Sequence, residues 1–273
     1  MTTNRHFLMR RGWAIVAATA GLCFVLTMLA WGRPDTASQV RVRFAEGVTH
    51  GFLVLTTLDG KYLATGDLRQ VVKGGEVENR TGFHFKDGSL DEETIVFTQQ
   101  QFFSMRTYRQ VQRGPSFPDD VEITLEASGK YHVKTKSHKD GEEKVLDGTL
   151  DLPADTANGL VPILAKNLPK GASQTVHMVV FTPEPRLIEL EMIPVGEEKL
   201  IVGEVTKSAV DYQLKPRLGI WLKFFATLAG KVPPDNHIWT LEDEVPAFIK
   251  FEGPFYMSGP IWRVELTSPH RTK

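Results

Sequence analysis

Most of the chain beyond residue 40 consists of short segments in which apolar and polar residues alternate. In VEITLE, residues 121–126, every second side chain is apolar, and WRVEL, residues 262–266, repeats the pattern. A period of two places the apolar residues on one face of a β-strand and the polar residues on the other. The alternation therefore predicts half-buried antiparallel strands, with one sheet face in water.

Turn dipeptides that contain glycine separate these segments, because glycine readily adopts the positive φ of tight hairpin turns. The spacing predicts about a dozen strands. A sheet of that size must curl or split into two layers to bury its apolar face and protect its edges. We therefore expect a mainly β fold: a large curved antiparallel sheet, in the form of a half-barrel or clamshell, with one or two short covering helices. The clearest turns are Asp59-Gly60, Asp87-Gly88, Ser128-Gly129 and Asp140-Gly141.

An apolar run without a charge, residues 12–32, precedes the strands and follows Arg5, Arg10 and Arg11. It fits the roughly 20 residues that a helix needs to cross a bilayer. We expect a retained transmembrane signal anchor, because the apolar centre of a cleaved signal peptide is usually shorter; the alternative is a signal peptide cleaved near Gly32. The arginines predict a cytoplasmic N-terminus. The chain then divides into this segment at 1–32, a linker at 33–39 and a single extracytoplasmic β-rich domain at 40–273.

Two segments break the alternation. The first, LPADTANGLVPILAKNLPKG at residues 152–171, predicts a short helix with Asp155 as N-cap and Gly171 as stop, which Gly159 and Pro162 shorten or kink. The second, KPRLGIWLKFFATLAGK at residues 215–231, has the three-and-four spacing of a helix face. It is too short for a second membrane span. The residues of that face are Leu214, Leu218, Trp221, Phe225 and Leu228.

The second segment contains four cations and no acid, and three explanations for it stay open. Its aromatic residues could be ordinary core. They could close an apolar ligand pocket, with Trp221, Phe225 and Leu228 as the lid. A basic amphipathic helix could also lie on an anionic membrane. For that role the candidate interface residues are Lys215, Arg217, Lys223 and Phe224.

Composition and motifs exclude several classes of site. The formal net charge of −1 indicates no nucleic-acid partner, and the single cysteine, Cys23, lies in the N-terminal apolar run. The domain therefore forms no disulfide and offers no thiol ligand or nucleophile. Nucleophile-elbow, phosphate-loop and zinc-protease motifs are absent from the sequence, and its histidines lack ligand spacing. We expect no cofactor, metal or catalytic residue.

Two loops offer weaker signals. Residues 242–244, EDE, could supply paired carboxylates for acid–base chemistry, but their place just before Pro246 favours a solvated loop. Residues 113–120, RGPSFPDD, form a stiff loop that presents Phe117. That aromatic side chain could serve recognition, but we expect it to be a hydrophobic plug at the rim of the sheet.

The arrangement of residues 150–200 and 237–266 resembles the DUF3108-type envelope proteins: a strand, a proline-led helical turn, long paired strands, then a tryptophan-bearing strand and a final amphipathic one. That family in turn resembles the half-barrel lipoprotein carriers of bacterial envelopes. The resemblance implies a concave sheet, covered by helices, that accommodates acyl chains. It implies no catalytic residue. The chain departs from lipid-anchored carriers because Leu22, and not a small residue, precedes Cys23.

These observations predict a single-pass protein of the cell inner membrane, attached by its N-terminal helix, with a periplasmic domain that binds a lipid or other apolar ligand. Cleavage near Gly32 would instead release the domain into the periplasm. The alternatives are a structural or assembly protein of the envelope that binds a protein partner, and an enzyme of unknown reaction. The sequence leaves the oligomeric state open.

The orientation gives the first testable prediction. A reporter enzyme that is active only outside the cytoplasm should be active when it is fused after Lys273, because the arginines hold the N-terminus inside. A matched fusion of a reporter that works only in the cytoplasm should be silent. Activity of the cytoplasmic reporter instead would reverse the orientation and remove the envelope location.

Overall fold

A computed structural model describes residues 38–181, 184–202, 205–217, 236–242 and 245–267 of the 273-residue chain. These residues form fourteen strands and one helix. In chain order they are β1 (Thr49–Thr57), β2 (Tyr62–Lys73), β3 (Glu76–Phe85), β4 (Leu90–Gln99), β5 (Phe103–Arg113), β6 (Asp119–Glu126), β7 (Lys130–Ser137), β8 (Glu143–Thr149), α1 (Val161–Asn167), β9 (Gln174–Val180), β10 (Arg186–Val202), β11 (Val205–Arg217), β12 (Asn236–Leu241), β13 (Phe248–Gly253) and β14 (Trp262–Thr267).

The strands make a single sheet in the order β8-β7-β6-β5-β4-β3-β2-β1-β14-β13-β12-β11-β10-β9. All neighbouring strands in this order pair antiparallel, including β1 with β14. The predicted mainly β, antiparallel fold is confirmed. Strands that are consecutive in sequence pair with each other because short turns connect them, and one long-range pairing, β1 with β14, joins the two runs.

The predicted hairpin turns are confirmed. Gly60, Gly88, Gly129 and Gly141 all have positive φ, between 75° and 87°. At Gly129 the choice of glycine is absolute, because a Cβ there would lie 1.8 Å from the carbonyl oxygen of Leu150. The β6–β7 turn therefore requires glycine at this position.

The predicted alternation is confirmed as well. Ile123 and Leu125 of β6 are buried, and so are Trp262 and Val264 of β14, whereas the residues between them are at least partly exposed. We call the side of the sheet on which Ile123 lies the inner face. Its apolar side chains meet α1 and the loop before it, which cover that face.

One hydrophobic cluster joins the two runs of strands across α1. It contains buried residues of β3 to β7, residues of α1, and residues of β9 to β12. The ring of Tyr108, in β5, stacks on that of Phe181, just after β9, with 6.4 Å between centroids and 5° between planes. Strands that are far apart in the sheet thus contribute to the same core. Its largest fully buried members are Phe97, Ile95, Leu125, Leu160, Met192, Ile238, Val77 and Val176.

Helix α1 lies within the predicted segment, but its ends differ from the prediction. Asp155 is not the N-cap: the helix begins at Val161, and its N-cap residue, Leu160, makes no side-chain capping bond. Pro162 occupies the first turn, where the missing N–H costs nothing, and this sets the start of the helix. The helix ends at Asn167, before Gly171, whose φ of 72° serves a later turn.

The sequence pattern assigns Leu214 to the face of the second predicted helix, and that assignment is wrong. Strand β11 runs to Arg217, and Leu214 is a buried member of the main cluster, paired in register with Met192. Cross-strand pairing with β10 and β12 fixes this residue and overrides the helical spacing. The remaining residues of the predicted face, Leu218, Trp221, Phe225 and Leu228, lie outside the described residues.

Phe117 is buried, as predicted for a plug. Its ring packs edge-on against Phe85, with centroids 5.4 Å apart, and against Trp262 at 6.2 Å. The predicted anchor at residues 12–32 lies outside the described residues. Within the described part of the chain, no helix combines the length and the apolar character that crossing a bilayer requires.

The core generates the second prediction. Ile123 is 5% exposed at the centre of β6. Truncation to alanine removes buried methyl groups and leaves a cavity, so Ile123→Ala should lower the free energy of unfolding by roughly 2–5 kcal/mol in a denaturant titration. Val145→Ala is the matched control, because Val145 in β8 is 53% exposed, and it should change stability by no more than about 0.5 kcal/mol. Equal effects of the two variants would show that the inner face is assigned wrongly.

Candidate functional site

A cleft of about 290 Å³ opens between the end of α1 and the inner face of β11 and β12. Its floor is formed by strand residues, one wall by α1 and the residues after it, and the other wall by the extended segment before β1. Both apolar and charged side chains line it. The lining consists of Arg43, Phe44, Ala165, Lys166, Leu168, Lys170, Val210, Tyr212, Thr240, Leu241, Glu242 and Pro246.

The wall formed by Arg43 and Phe44 is held by Asn167, the last residue of α1. The side-chain oxygen Oδ1 of Asn167 accepts hydrogen bonds from the backbone N–H groups of Arg43, at 2.9 Å, and Phe44, at 2.8 Å. The guanidinium of Arg43 also donates through Nη1 to the carbonyl oxygen of Leu168, at 2.5 Å. These three bonds fix the segment to the helix end and so define one side of the cleft.

The cations that line the cleft differ in whether a carboxylate pairs with them. Lys166 pairs with Glu46, at 2.7 Å, and both side chains are largely buried. Lys170 lies between two carboxylates, 2.6 Å from Glu242 and 2.7 Å from Glu197, which raise its pKa. Arg43, in contrast, has no carboxylate partner among the described residues. Because the residue is exposed, water solvates this charge, and Arg43 is the lining cation without a carboxylate within that part of the chain.

Two hydroxyl groups line the floor. Tyr212 and Thr240 are diagonal neighbours on adjacent strands, because Tyr212 pairs with Ile238 and Val210 pairs with Thr240. Tyr212 is 2% exposed and Thr240 is 4% exposed. Neither hydroxyl has a hydrogen-bond partner among the described residues, and neither oxygen is fully buried, so both reach the open cleft. Both can therefore bond to a ligand in the cleft.

The Tyr212 hydroxyl stays protonated at neutral pH. Burial raises its pKa above the usual value, the carboxylate of Glu242 raises it further, and Arg43 opposes the increase. Tyr212 is therefore available as a hydrogen-bond donor. Together, Tyr212, Glu242 and Arg43 form a polar end of the cleft beside its apolar wall.

A second polar group lies on the inner face between β4 and β5. Gln112 donates from Nε2 to Asp91 Oδ1 and to the carbonyl oxygen of Phe255, both at 2.8 Å. The hydroxyl of Tyr108 lies 3.0 Å from Glu93 Oε2 and 3.2 Å from Gln110 Oε1. Every member has a partner, so this network fastens the strands to each other and to the loop at Phe255.

Burial controls the charge of this network. It raises the pKa of Asp91 to about 7, an effect that the hydrogen bond from Gln112 partly opposes and that the nearby Glu93 reinforces. Burial likewise raises the pKa of Glu93. Paired carboxyls with raised pKa values are typical of acid–base catalysts. Here, however, their hydrogen bonds go to neutral partners and Asp91 is 7% exposed, which favours a structural network.

Five described histidines, at positions 50, 132, 138, 177 and 237, each pair with one aspartate. His177 Nδ1 lies 2.9 Å from Asp155, His237 Nδ1 lies 2.8 Å from Asp211, and His132 Nδ1 lies 2.8 Å from Asp147. Asp155 thus serves His177 on β9 and not the helix N-terminus. Within the described ranges, no three His, Cys, Asp or Glu side chains converge as metal ligands would.

The candidate residues from the sequence are only partly described. Trp221, Lys223, Phe224, Phe225 and Leu228 lie outside the described residues. Lys215 and Arg217 are exposed on β11. The expectation that they lack compensating acids is wrong for Arg217, whose Nη2 lies 3.2 Å from Glu191 across the β10–β11 pair.

No sequence pattern predicted the cleft, whereas the alternation in β4 does indicate the buried carboxyl groups of Asp91 and Glu93. In strand β4, Asp91 and Glu93 fall on the same side of the alternation as the buried Ile95 and Phe97. Polar residues at inward positions can be recognised from period two alone. The cleft residues come from separate parts of the chain, and no local pattern joins Arg43 to Tyr212. Of the predicted acidic loop, Glu242 does line the cleft, as the partner of Lys170.

No family model, curated protein or solved structure matches this chain.

Asp91 provides the third prediction. Because its pKa is about 7 in the folded state and 3.8 ordinarily, the folded state binds more protons between these values, and wild-type stability should fall as pH rises from about 4 to about 7. Asp91→Asn cannot ionise, and its Oδ1 can still accept from Gln112. In denaturant titrations, the free energy of unfolding of Asp91→Asn minus that of the wild type should therefore increase from about pH 4 to about pH 7. The increase should be at most roughly 4 kcal/mol.

Asp151→Asn is the control for this experiment, since Asp151 is exposed. We expect this variant to follow the wild type at every pH. If the curves of Asp91→Asn and the wild type ran parallel across the window, the buried carboxyl would not be the source of the pH dependence.

Proposed function

We propose that this protein is a membrane-anchored envelope protein that binds a lipid or another apolar ligand in the cleft beside α1. One observation carries the proposal: the cleft combines apolar walls with two hydroxyls, those of Tyr212 and Thr240, that open onto it and have no partner among the described residues. Ligand sites are typically concave, mostly apolar and furnished with a few polar groups that orient the ligand. A volume of about 290 Å³ is at the small end of such sites and suits one chain of an amphiphile.

The proposed shape of the sheet is the half-barrel expected from the sequence. Ten strand spacings separate β5 from β9 in the sheet order, which is about 48 Å in a flat sheet. The rings of Tyr108 and Phe181 are nevertheless 6.4 Å apart. Such an approach favours a strongly curved sheet, whose concave side is a natural place for an apolar ligand.

The location is proposed from the N-terminal sequence. The apolar run at residues 12–32 would hold the protein in the cell inner membrane, with the β-rich domain in the periplasm; after cleavage near Gly32 the domain would be periplasmic and free of the membrane. The resemblance to DUF3108-type envelope proteins stays a hypothesis that agrees with this location.

The residues Trp221, Phe225 and Leu228 remain the proposed lid. The support is their place in the chain: they lie between β11 and β12, the two strands whose Tyr212 and Thr240 line the cleft. Lys215, Lys223 and Phe224 remain proposed contacts to an anionic membrane surface, with Arg217 as a further, already paired, cation.

A second candidate function is that of an assembly protein that binds a protein partner. One observation favours it. Among the described residues, the part of β10 after Met192 pairs with β11 alone, and the part of β11 before Ala209 pairs with β10 alone. Val195 and Val205 are more than half exposed on this ribbon. Unpaired strand edges with exposed apolar residues can accept a strand from another protein.

The fourth prediction tests ligand binding in the cleft. Full-length protein in amphipol should give saturable fluorescence with the neutral apolar probe N-phenyl-naphthylamine, measured against protein-free amphipol. Phe44→Ala removes part of the apolar wall and should weaken binding about tenfold, as expected when an aromatic contact is lost.

Phe52→Ala is the matched control. Phe52 lies on β1, is 40% exposed and does not line the cleft, so its loss should leave the affinity for the probe unchanged. Probe binding that is not saturable, or that both variants weaken equally, would contradict a binding site at this cleft.

A further inference from the structure

We propose that the ligand of the cleft is an anionic amphiphile, a chain that ends in a carboxylate or phosphate group, and that Arg43 binds this group together with the hydroxyls of Tyr212 and Thr240. This inference rests on the binding function proposed above and adds the chemical class of the ligand.

The charges of the lining favour an anion. The lining contains three cations, Arg43, Lys166 and Lys170, and one carboxylate, that of Glu242. Lys166 forms a largely buried ion pair with Glu46. Glu242 forms an ion pair with Lys170, at 2.6 Å. Arg43 therefore remains as the cation that can interact with a ligand.

Arg43 is fixed in a way that suits recognition. Its backbone is tied to Asn167, and one of its five guanidinium donors is bonded to the carbonyl oxygen of Leu168. The guanidinium carbon lies 5.4 Å from the centroid of the Phe44 ring, which limits its movement. The other donors can bind two oxygens of a carboxylate or phosphate side by side, and little conformational freedom is lost on binding.

The hydroxyls complete the site. Tyr212 and Thr240 lie under the cleft as diagonal neighbours, and neither is bonded to another described residue. Both hydroxyls open onto the cleft, so an anionic oxygen placed there would accept a hydrogen bond from each. The raised pKa of Tyr212 keeps its proton in place for this purpose. Phe44, Leu168, Val210 and Leu241 then provide the apolar surface for the chain of the ligand.

The test compares ligands of equal chain length. Octanoate, octyl phosphate and octanol are titrated into full-length protein in amphipol by isothermal calorimetry at neutral pH, with protein-free amphipol as blank. The two anions should bind about tenfold more tightly than the alcohol, as expected for a charge-assisted hydrogen-bonded pair. Arg43→Ala should remove this difference and leave octanol unaffected, and Arg43→Lys should keep part of it.

Two further variants separate the site from general effects. Tyr212→Phe should lower the affinity for both anions several-fold, with octanol unchanged, because it deletes one hydroxyl and keeps the ring. Arg69→Ala is the control, since Arg69 is an exposed arginine on β2 that does not line the cleft. It should leave all affinities as in the wild type.

The outcomes distinguish the two proposals. Equal binding of octanol and the anions, or an anion preference that survives in both Arg43→Ala and Tyr212→Phe, would overturn the anionic headgroup and leave the apolar site intact. Failure of all three ligands to bind would overturn the binding function itself. Inorganic phosphate that binds as tightly as octyl phosphate would replace the amphiphile by a free anion.

Discussion

Burial of one face of a very large sheet is the constraint on which the rest of this structure depends. Fourteen strands present apolar side chains on the inner face, whereas α1 has seven residues. A helix of that length extends about 10 Å and cannot cover such a surface alone. Side chains from distant strands therefore pack against each other as well as against α1, as Tyr108 and Phe181 do. The gain comes from removing apolar area from water, at roughly 25 cal/mol per Å².

Two buried asparagines hold the covering segment in place. Asn158 mimics a strand neighbour of β9, since its amide donates to the carbonyl oxygen of Val179 and accepts from the same residue's N–H, both at 2.8 Å. Asn167 binds the N–H groups of Arg43 and Phe44 at the other end of α1. Replacing Asn158 would leave both backbone groups of the buried Val179 unpaired, which costs more than the bonds themselves contribute, whereas the N–H groups that Asn167 binds are partly buried. The Asn167 link also builds the cleft, so stability and the candidate site share one residue.

The inner face contains two sets of polar side chains, one hydrogen-bonded throughout and the other without partners among the described residues. Around Asp91 and Glu93, every side chain is paired and the loop at Phe255 closes over the group, so the carboxyls act on stability and on its pH dependence. At the cleft, Tyr212 and Thr240 are equally buried, yet their hydroxyls have no partner among the described residues. Their oxygens reach the open cleft, where water or a ligand can bond to them. The first group is therefore closed within the fold, whereas the second is accessible from the cleft.

The sequence alone determined the class of fold and the local features, because these depend on neighbours in the chain. Alternation in β6 and β14 identified the inner residues, glycines at four turns set the hairpins, and Phe117 was identified as a plug. Local spacing gave a wrong prediction at Leu214. The helical pattern assigned this residue to a helix face, whereas cross-strand pairing places it in β11. The β1–β14 pairing, the contact of β5 with the end of β9 and the meeting of Arg43, Tyr212 and Thr240 were decided by tertiary structure. Such contacts join residues far apart in the chain, and only burial of the common inner face brings them together.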